Sequence, residues 1–223
     1  MILYHGSTNI IEKPTFGKGK STNDYGKGFY CTEDLELAKE WACINGQNGY
    51  ANKYTFDLSD IKFLDLSSGE YSILTWLAIL TKNRSYWERG TISAEAKDFL
   101  KVHFLVPTNE YDIIKGYRAD DSYFAFAQAF VANGISLEQL KNALYLGNLG
   151  EQIVLVSQKA FENISFVSYE DAPSDKYFES AKLKDQKARR EYRQLIKGSS
   201  LQNSIYMIDI IRGTVKIDDP RLF

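Results

Sequence analysis

The sequence predicts a mixed α and β domain, and two observations carry that reading. Short β-prone runs alternate with stretches of helical periodicity along the whole chain. Of its 223 residues 44% are hydrophobic, enough for a real core. No linker-like stretch demands a second domain, so residues 1–223 read as one domain, with a helical insertion at about 70–105 and a long charged helix at about 174–197.

Ile2-Leu3-Tyr4-His5 is a short strand ended by Gly6-Ser7, followed by a polar loop from Asn9 to Asn23 that contains Pro14. Lys13, Lys18, Lys20 and Lys27 outnumber Glu12 and Asp24 there, which suits either a phosphate or plain solvation. Gly28-Phe29-Tyr30-Cys31 is a second strand, and Thr32 is the expected N-cap of a helix running to Ala42. Tyr50 to Leu66 reads as two strands joined at Ser59-Asp60. Two helices follow: Ile73, Leu74, Leu77 and Leu80 share one face, and Ala96, Phe99 and Leu100 another after a Ser93 cap. Tyr111 to Gly116 is a strand, Ser122 to Val131 an aromatic-rich helix, and Ser136-Leu137-Glu138-Gln139 a capping box opening a helix to Leu146, closed by Gly147 and Gly150. Gln152 to Ser157 and Ile164 to Val167 are expected as central strands, and Ile205 to Ile211 as a last strand. Ser174 to Lys197 is one long, mostly exposed helix.

Charge and cysteine content narrow the function classes. Lys and Arg number 27 against 29 Asp and Glu, so no global field marks a general polyanion binder. Cys31 and Cys43 lie twelve positions apart without ligand-like histidines nearby, which supports neither a metal site nor a disulfide framework. Met1-Ile2-Leu3-Tyr4 opens without a basic segment and apolar stretch, and the apolar run around Ile73 to Leu80 is too short to span a bilayer. A cytoplasmic protein without a membrane partner is expected.

Three stretches place polar or aromatic groups where a sheet opens into a cleft. In Tyr4-His5-Gly6-Ser7 the glycine lets backbone approach a ligand, while imidazole and hydroxyl offer hydrogen bonds. Gly26-Lys27-Gly28-Phe29-Tyr30 sets a ring that, with Trp41, suits sandwiching a flat heterocycle; each is equally an ordinary core aromatic. Gly150-Glu151-Gln152 enters a strand where successive side chains face opposite ways, so only one of Glu151 and Gln152 points into a cleft.

Together these stretches resemble the His–Tyr–Glu class of ADP-ribosyltransferases, the poly(ADP-ribose) polymerase and diphtheria-toxin-like branch. With Asp24-Tyr25-Gly26-Lys27-Gly28-Phe29-Tyr30-Cys31-Thr32 and Gly116-Tyr117-Arg118-Ala119-Asp120-Asp121-Ser122-Tyr123-Phe124, the chain also resembles the bacterial DUF3990 family over most of its length. The superfamily resemblance implies an α+β fold with a split, two-sheet ADP-ribosyltransferase-like core and peripheral helices, gripping NAD as substrate. It implies that His5 meets ribose hydroxyls, that Gly6 with Ser7 holds the nicotinamide carboxamide, that Tyr30 stacks on nicotinamide with Gly28 also in the NAD site, and that Trp41 stands at a second stacking position. The loop between the first two motifs lies near the pyrophosphate in that picture. The resemblance puts a glutamate at the third motif, where this chain has Gln152 as the preferred catalytic residue and Glu151 as the fallback. An amide orients the ribose hydroxyl without being a general base, so Asp120 and Asp121 are candidate bases, or a plain acidic turn.

The expected function is NAD-dependent mono-ADP-ribosylation by an intracellular bacterial toxin, of a toxin–antitoxin pair or of phage defence, on a protein or nucleic-acid acceptor; an antitoxin is then a further candidate partner. The alternatives are an NAD glycohydrolase, or a catalytically weak NAD or ADP-ribose binding module. In the last, the helix bearing Lys184, Lys187, Arg189, Arg190 and Arg193 docks a partner, touches RNA or is merely solvated.

Overall fold

A computed structural model describes residues 1–43, 46–85, 87, 89–119, 121–146, 150–198 and 204–223. The strands are β1 (Ile2–Ser7), β2 (Phe29–Cys31), β3 (Gly49–Phe56), β4 (Phe63–Asp65), β5 (Ile113–Tyr117), β6 (Glu151–Leu155) and β7 (Ile164–Ala172). They form two small sheets, ordered β1-β3-β7 and β2-β6-β5-β4, antiparallel throughout except for the β4–β5 pair. The helices among the described residues are α1 (Leu35–Ala42), α2 (Ile73–Asn83), α3 (Thr91–His103), α4 (Asp121–Val131), α5 (Leu137–Ala143), α6 (Gln158–Glu162), α7 (Ser174–Gly198) and α8 (Met207–Ile211). The chain is thus a mixed α+β protein.

The sheets meet at one described bridge, where Tyr4 and Thr32 exchange both backbone bonds at 2.8 and 2.9 Å. That bridge fixes what the rest of β1 presents. Met1 and Phe56 also exchange both their bonds, at 2.8 and 2.9 Å, so odd-numbered residues of this strand turn their backbone groups toward β3 and even-numbered ones away from it. Gly6, two residues past Tyr4, therefore turns its N–H and C=O to the open edge where the sheets part.

Helix α1 packs directly on β1. Asp34 caps it, its carboxylate accepting from Leu37 N at 3.1 Å, and Leu37, Ala38 and Ala42 are buried against the sheet. A Cβ at Gly6 would lie 2.1 Å from Ala38 O and 2.8 Å from Trp41 Cβ, so the glycine is demanded by the helix crossing it. The larger core is built on α2, whose residues Ile73 to Thr81 are all buried, with Trp76 and Leu77 at its centre. A helix apolar on every side belongs inside.

Several elements differ from expectation. Thr32 is held in the inter-sheet bridge and does not cap α1; the cap falls to Asp34. Helix α3 starts at Thr91 after Gly90, and Ser93 is buried in its first turn. β7 runs on to Ala172 and is an edge strand rather than a central one, exposed over most of its length because nothing covers its outer side among the described residues. Ile205 to Ile211 does not form a strand. Met207 and Ile210 are buried one helical turn apart in α8, and the Asp209 carboxylate accepts from Tyr206 N at 2.8 Å, closing the first turn. A short apolar run fits both periods, and the local cap decided between them. Helix α5 ends at Ala143 with Leu144 as its C-cap, short of the expected Leu146, and the proposed closing Gly147 lies outside the described residues.

Candidate functional site

At the split between the sheets lies a cleft of about 420 Å³, lined by His5, Gly6, Asp24, Tyr30, Trp41, Gln152 and neighbours, within the range of small-molecule sites. It brings together residues from all three sequence stretches.

His5 sits on the last part of β1, stacked on Phe29 with centroids 4.2 Å apart. Its Nδ1 is 2.7 Å from Tyr30 O, an atom that only accepts, so Nδ1 carries the proton and Nε2 is the ring's acceptor. Burial holds the imidazole below the usual histidine value of 6.5, opposed in part by the Tyr30 bond, and favours this neutral form. Tyr30 is fixed at its far end: its hydroxyl donates to Gly26 O at 2.7 Å and accepts from Tyr25 N at 3.1 Å. Burial pushes that hydroxyl well above its ordinary range, so the residue offers a ring and not an acid or base. The turn at Gly26, with φ of 77°, makes the return bond possible.

Trp41 projects from α1 into the cleft, and the Arg118 guanidinium lies 5.1 Å from its ring. Its indole N–H is the one buried side-chain polar atom without a partner among the described residues. Such an orphan donor costs about 1–3 kcal/mol.

The third stretch separates its two residues. Gln152 is 4% exposed and faces the cleft, while Glu151 turns to the other side of β6, into a cavity of about 380 Å³ where it pairs with Lys115 at 3.3 Å. Ser7 and Gly28 lie outside the cleft lining. Ser7 Oγ accepts from Asn9 N at 3.1 Å, and a Cβ at Gly28 would lie 2.5 Å from Val154 Cγ1, so this glycine serves strand packing. Asp120 lies outside the described residues, as does the side chain of Asp121.

Sequence reasoning did not single out two charged residues at the heart of the site. Asp24 is 5% exposed; its Oδ1 accepts from Arg84 Nε at 2.7 Å and is ion-paired with Arg84 Nη2 at 2.6 Å, and its Oδ2 accepts from Ala119 N and Gln152 Nε2, both at 2.8 Å. Arg84 closes α2 as its C-cap and also donates to Ala119 O. The signal for Asp24 was its place beside the glycine motif; Arg84 carried none. A second carboxylate, Glu40, lines the cleft and is held by Lys184 of α7 at 2.7 Å and by the Ser180 hydroxyl at 2.9 Å.

The fold and site define an α+β protein of two small sheets joined at one bridge, with a polar, aromatic-walled cleft at their split. Residues 1–166 match the family model described as protein of unknown function (DUF3990), and the chain belongs to that family. No curated protein and no solved structure matches it. Helix α7 lies beyond the matched segment, yet its Lys184 reaches the cleft carboxylate Glu40. Among the described residues no helix is long and apolar enough to cross a membrane.

Proposed function

We propose that the chain is an NAD-dependent mono-ADP-ribosyltransferase with an ADP-ribosyltransferase-like split-sheet core, acting in the bacterial cytoplasm as a toxin on a protein or nucleic-acid acceptor. The observation that carries the reading is the convergence of His5, the open edge of Gly6, Tyr30, Trp41 and Gln152 on one cleft. Nicotinamide's carboxamide has one donor group and one acceptor, which the N–H and C=O of Gly6 complement. The fixed Tyr30 ring gives the heterocycle a flat wall, and Trp41 lines the same cleft. His5 Nε2 accepts from a ribose hydroxyl.

In this reading the bond from ribose C1′ to nicotinamide nitrogen breaks and both its electrons leave with nicotinamide, so positive charge develops on the ribose. Gln152 Oε1, accepting from the 2′-hydroxyl, keeps electron density on that ring. The acceptor's nucleophilic atom then bonds to C1′, and its proton passes to solvent. Both described carboxylates of the cleft are ion-paired, Asp24 with Arg84 and Glu40 with Lys184. An acceptor that arrives already nucleophilic, or brings its own base, fits that inventory.

The test is incubation of the protein with adenylate-labelled NAD and bacterial lysate, with portions treated by protease or nuclease, alongside Tyr30→Ala and Gln152→Ala. Label on a macromolecule, strongly reduced but measurable in both variants, is the expected result. Nicotinamide release without added acceptor makes the protein a glycohydrolase, and NAD binding without release makes it a binding module; neither label nor release overturns the proposal.

A further inference from the structure

We infer that Asp24 is a positioning residue that, with Arg84 behind it, holds the Gln152 amide one way round and makes Oε1 the acceptor of the cleft; this rests on the transferase reading of that cleft. A carboxylate accepts about four hydrogen bonds, two on each oxygen. Three fall on Asp24, from Arg84 Nε on Oδ1 and from Ala119 N and Gln152 Nε2 on Oδ2, and Arg84 Nη2 is ion-paired with Oδ1 at 2.6 Å. Both its oxygens are engaged and it is buried. Its effect on chemistry runs through Gln152.

The Gln152 amino group faces acceptors only. The bond to Asp24 Oδ2 is 2.8 Å and charge-assisted, whereas the one to Tyr117 O is 3.3 Å, on a carbonyl that also accepts from Tyr25 and Trp76. Turning the amide over would bring Oε1 against a carboxylate oxygen, so its orientation is fixed by chemistry and Oε1 is left for the cleft. A free glutamine offers a donor as readily as an acceptor, and a donor aimed at the ribose withdraws density where positive charge develops. The same geometry explains an amide at this position. A glutamate there would oppose Asp24, so the negative charge stands one residue behind the acceptor, on a loop, with Arg84 as its counter-ion.

Asp24→Asn tests this because it is nearly isosteric and replaces Oδ2 with a donor, inviting Gln152 to turn over. Read by nicotinamide release from the full chain, the expected effect is a kcat about 30-fold lower with KM changed less than about threefold. In the Gln152→Ala background the same substitution is expected to change kcat less than about twofold, since its effect is carried by that amide. An unchanged kcat in Asp24→Asn, or an equal loss in both backgrounds, overturns the inference. The orientation is also read without turnover or mutation at Asp24. In the unmutated protein the Gln152 side-chain amide protons, assigned by their absence in Gln152→Ala, should show a nuclear Overhauser contact to the Ala119 amide proton, because both donate to one oxygen. Absence of that contact overturns the inference even if the protein releases nicotinamide. Absence of release with the contact present overturns only the transferase reading.

Discussion

Replacing Gln152 by glutamate sets a second carboxylate oxygen in the place of an amino group 2.8 Å from Asp24 Oδ2. Two unit charges at that distance repel by roughly 6 kcal/mol at an effective dielectric of about 20. Arg84, 2.6 Å from the other Asp24 oxygen, offsets part of this. Taking half as offset leaves ~3 kcal/mol, or about two pK units, so the introduced carboxyl should titrate near ~6.5 instead of its unfolded value of ~4.3. A group whose folded pKa is raised contributes least destabilisation below its unfolded pKa and progressively more as pH rises through the folded value. The variant should therefore be close to wild type at about pH 4 and lose ~3 kcal/mol by about pH 8, seen as a melting temperature lowered by roughly 6–12 °C. Paired thermal melts across that range make the measurement. A gap independent of pH, or a variant as stable as wild type at about pH 8, would refute the placement of Gln152 against Asp24.

Other substitutions probe the remaining contacts. Gly6→Ala puts a Cβ 2.1 Å from Ala38 O, a backbone atom that cannot move without α1, and should cost about 3 kcal/mol or more by denaturant melts; retained stability would refute the close packing of α1 on β1. His5 has a lowered pKa, so its stabilising contribution is complete above the usual value of 6.5 and is lost as pH falls through the lowered one; protonation also removes the Nε2 acceptor. NAD affinity by calorimetry should fall over that same acid window, and His5→Ala should flatten the dependence. Lys184→Ala strips the ion pair from a Glu40 side chain that is 7% exposed, while Ser180 still donates to it. A loss of about 1–2 kcal/mol is expected, with denaturant melts as the check and unchanged stability as the refuting result.

Much of the fold was readable because periodicity and punctuation are local. The all-buried run of α2, the capping box of α5 at Ser136 and the charged period of α7 each write their structure within a dozen residues. Failures came where a short run fitted both periods or a distant partner decided. Ile205 to Ile211 carries no mark separating helix from strand until Asp209 reaches Tyr206, and Ile164 to Val167 reads like a central strand although only β3 pairs with it. Gly6 and Gly28 were legible as places where backbone comes close, but the sequence does not say to what. Helix α1 crosses the first and β6 packs on the second.

For the site the division is equally physical. The sequence by itself determined the inventory: a histidine and glycine ending one strand, a tyrosine in the next, a tryptophan a helix later, and a glutamate beside a glutamine, since each motif is a short run of neighbours. Strand alternation guarantees that only one of Glu151 and Gln152 faces the cleft, yet which one depends on how β6 is paired between β2 and β5. Only the tertiary structure decided that, and only it brought Asp24, Arg84, Ala119 and Gln152 into one hydrogen-bonded cluster. Those residues span 128 positions between Asp24 and Gln152, and no local pattern encodes a contact made by closing so long a loop.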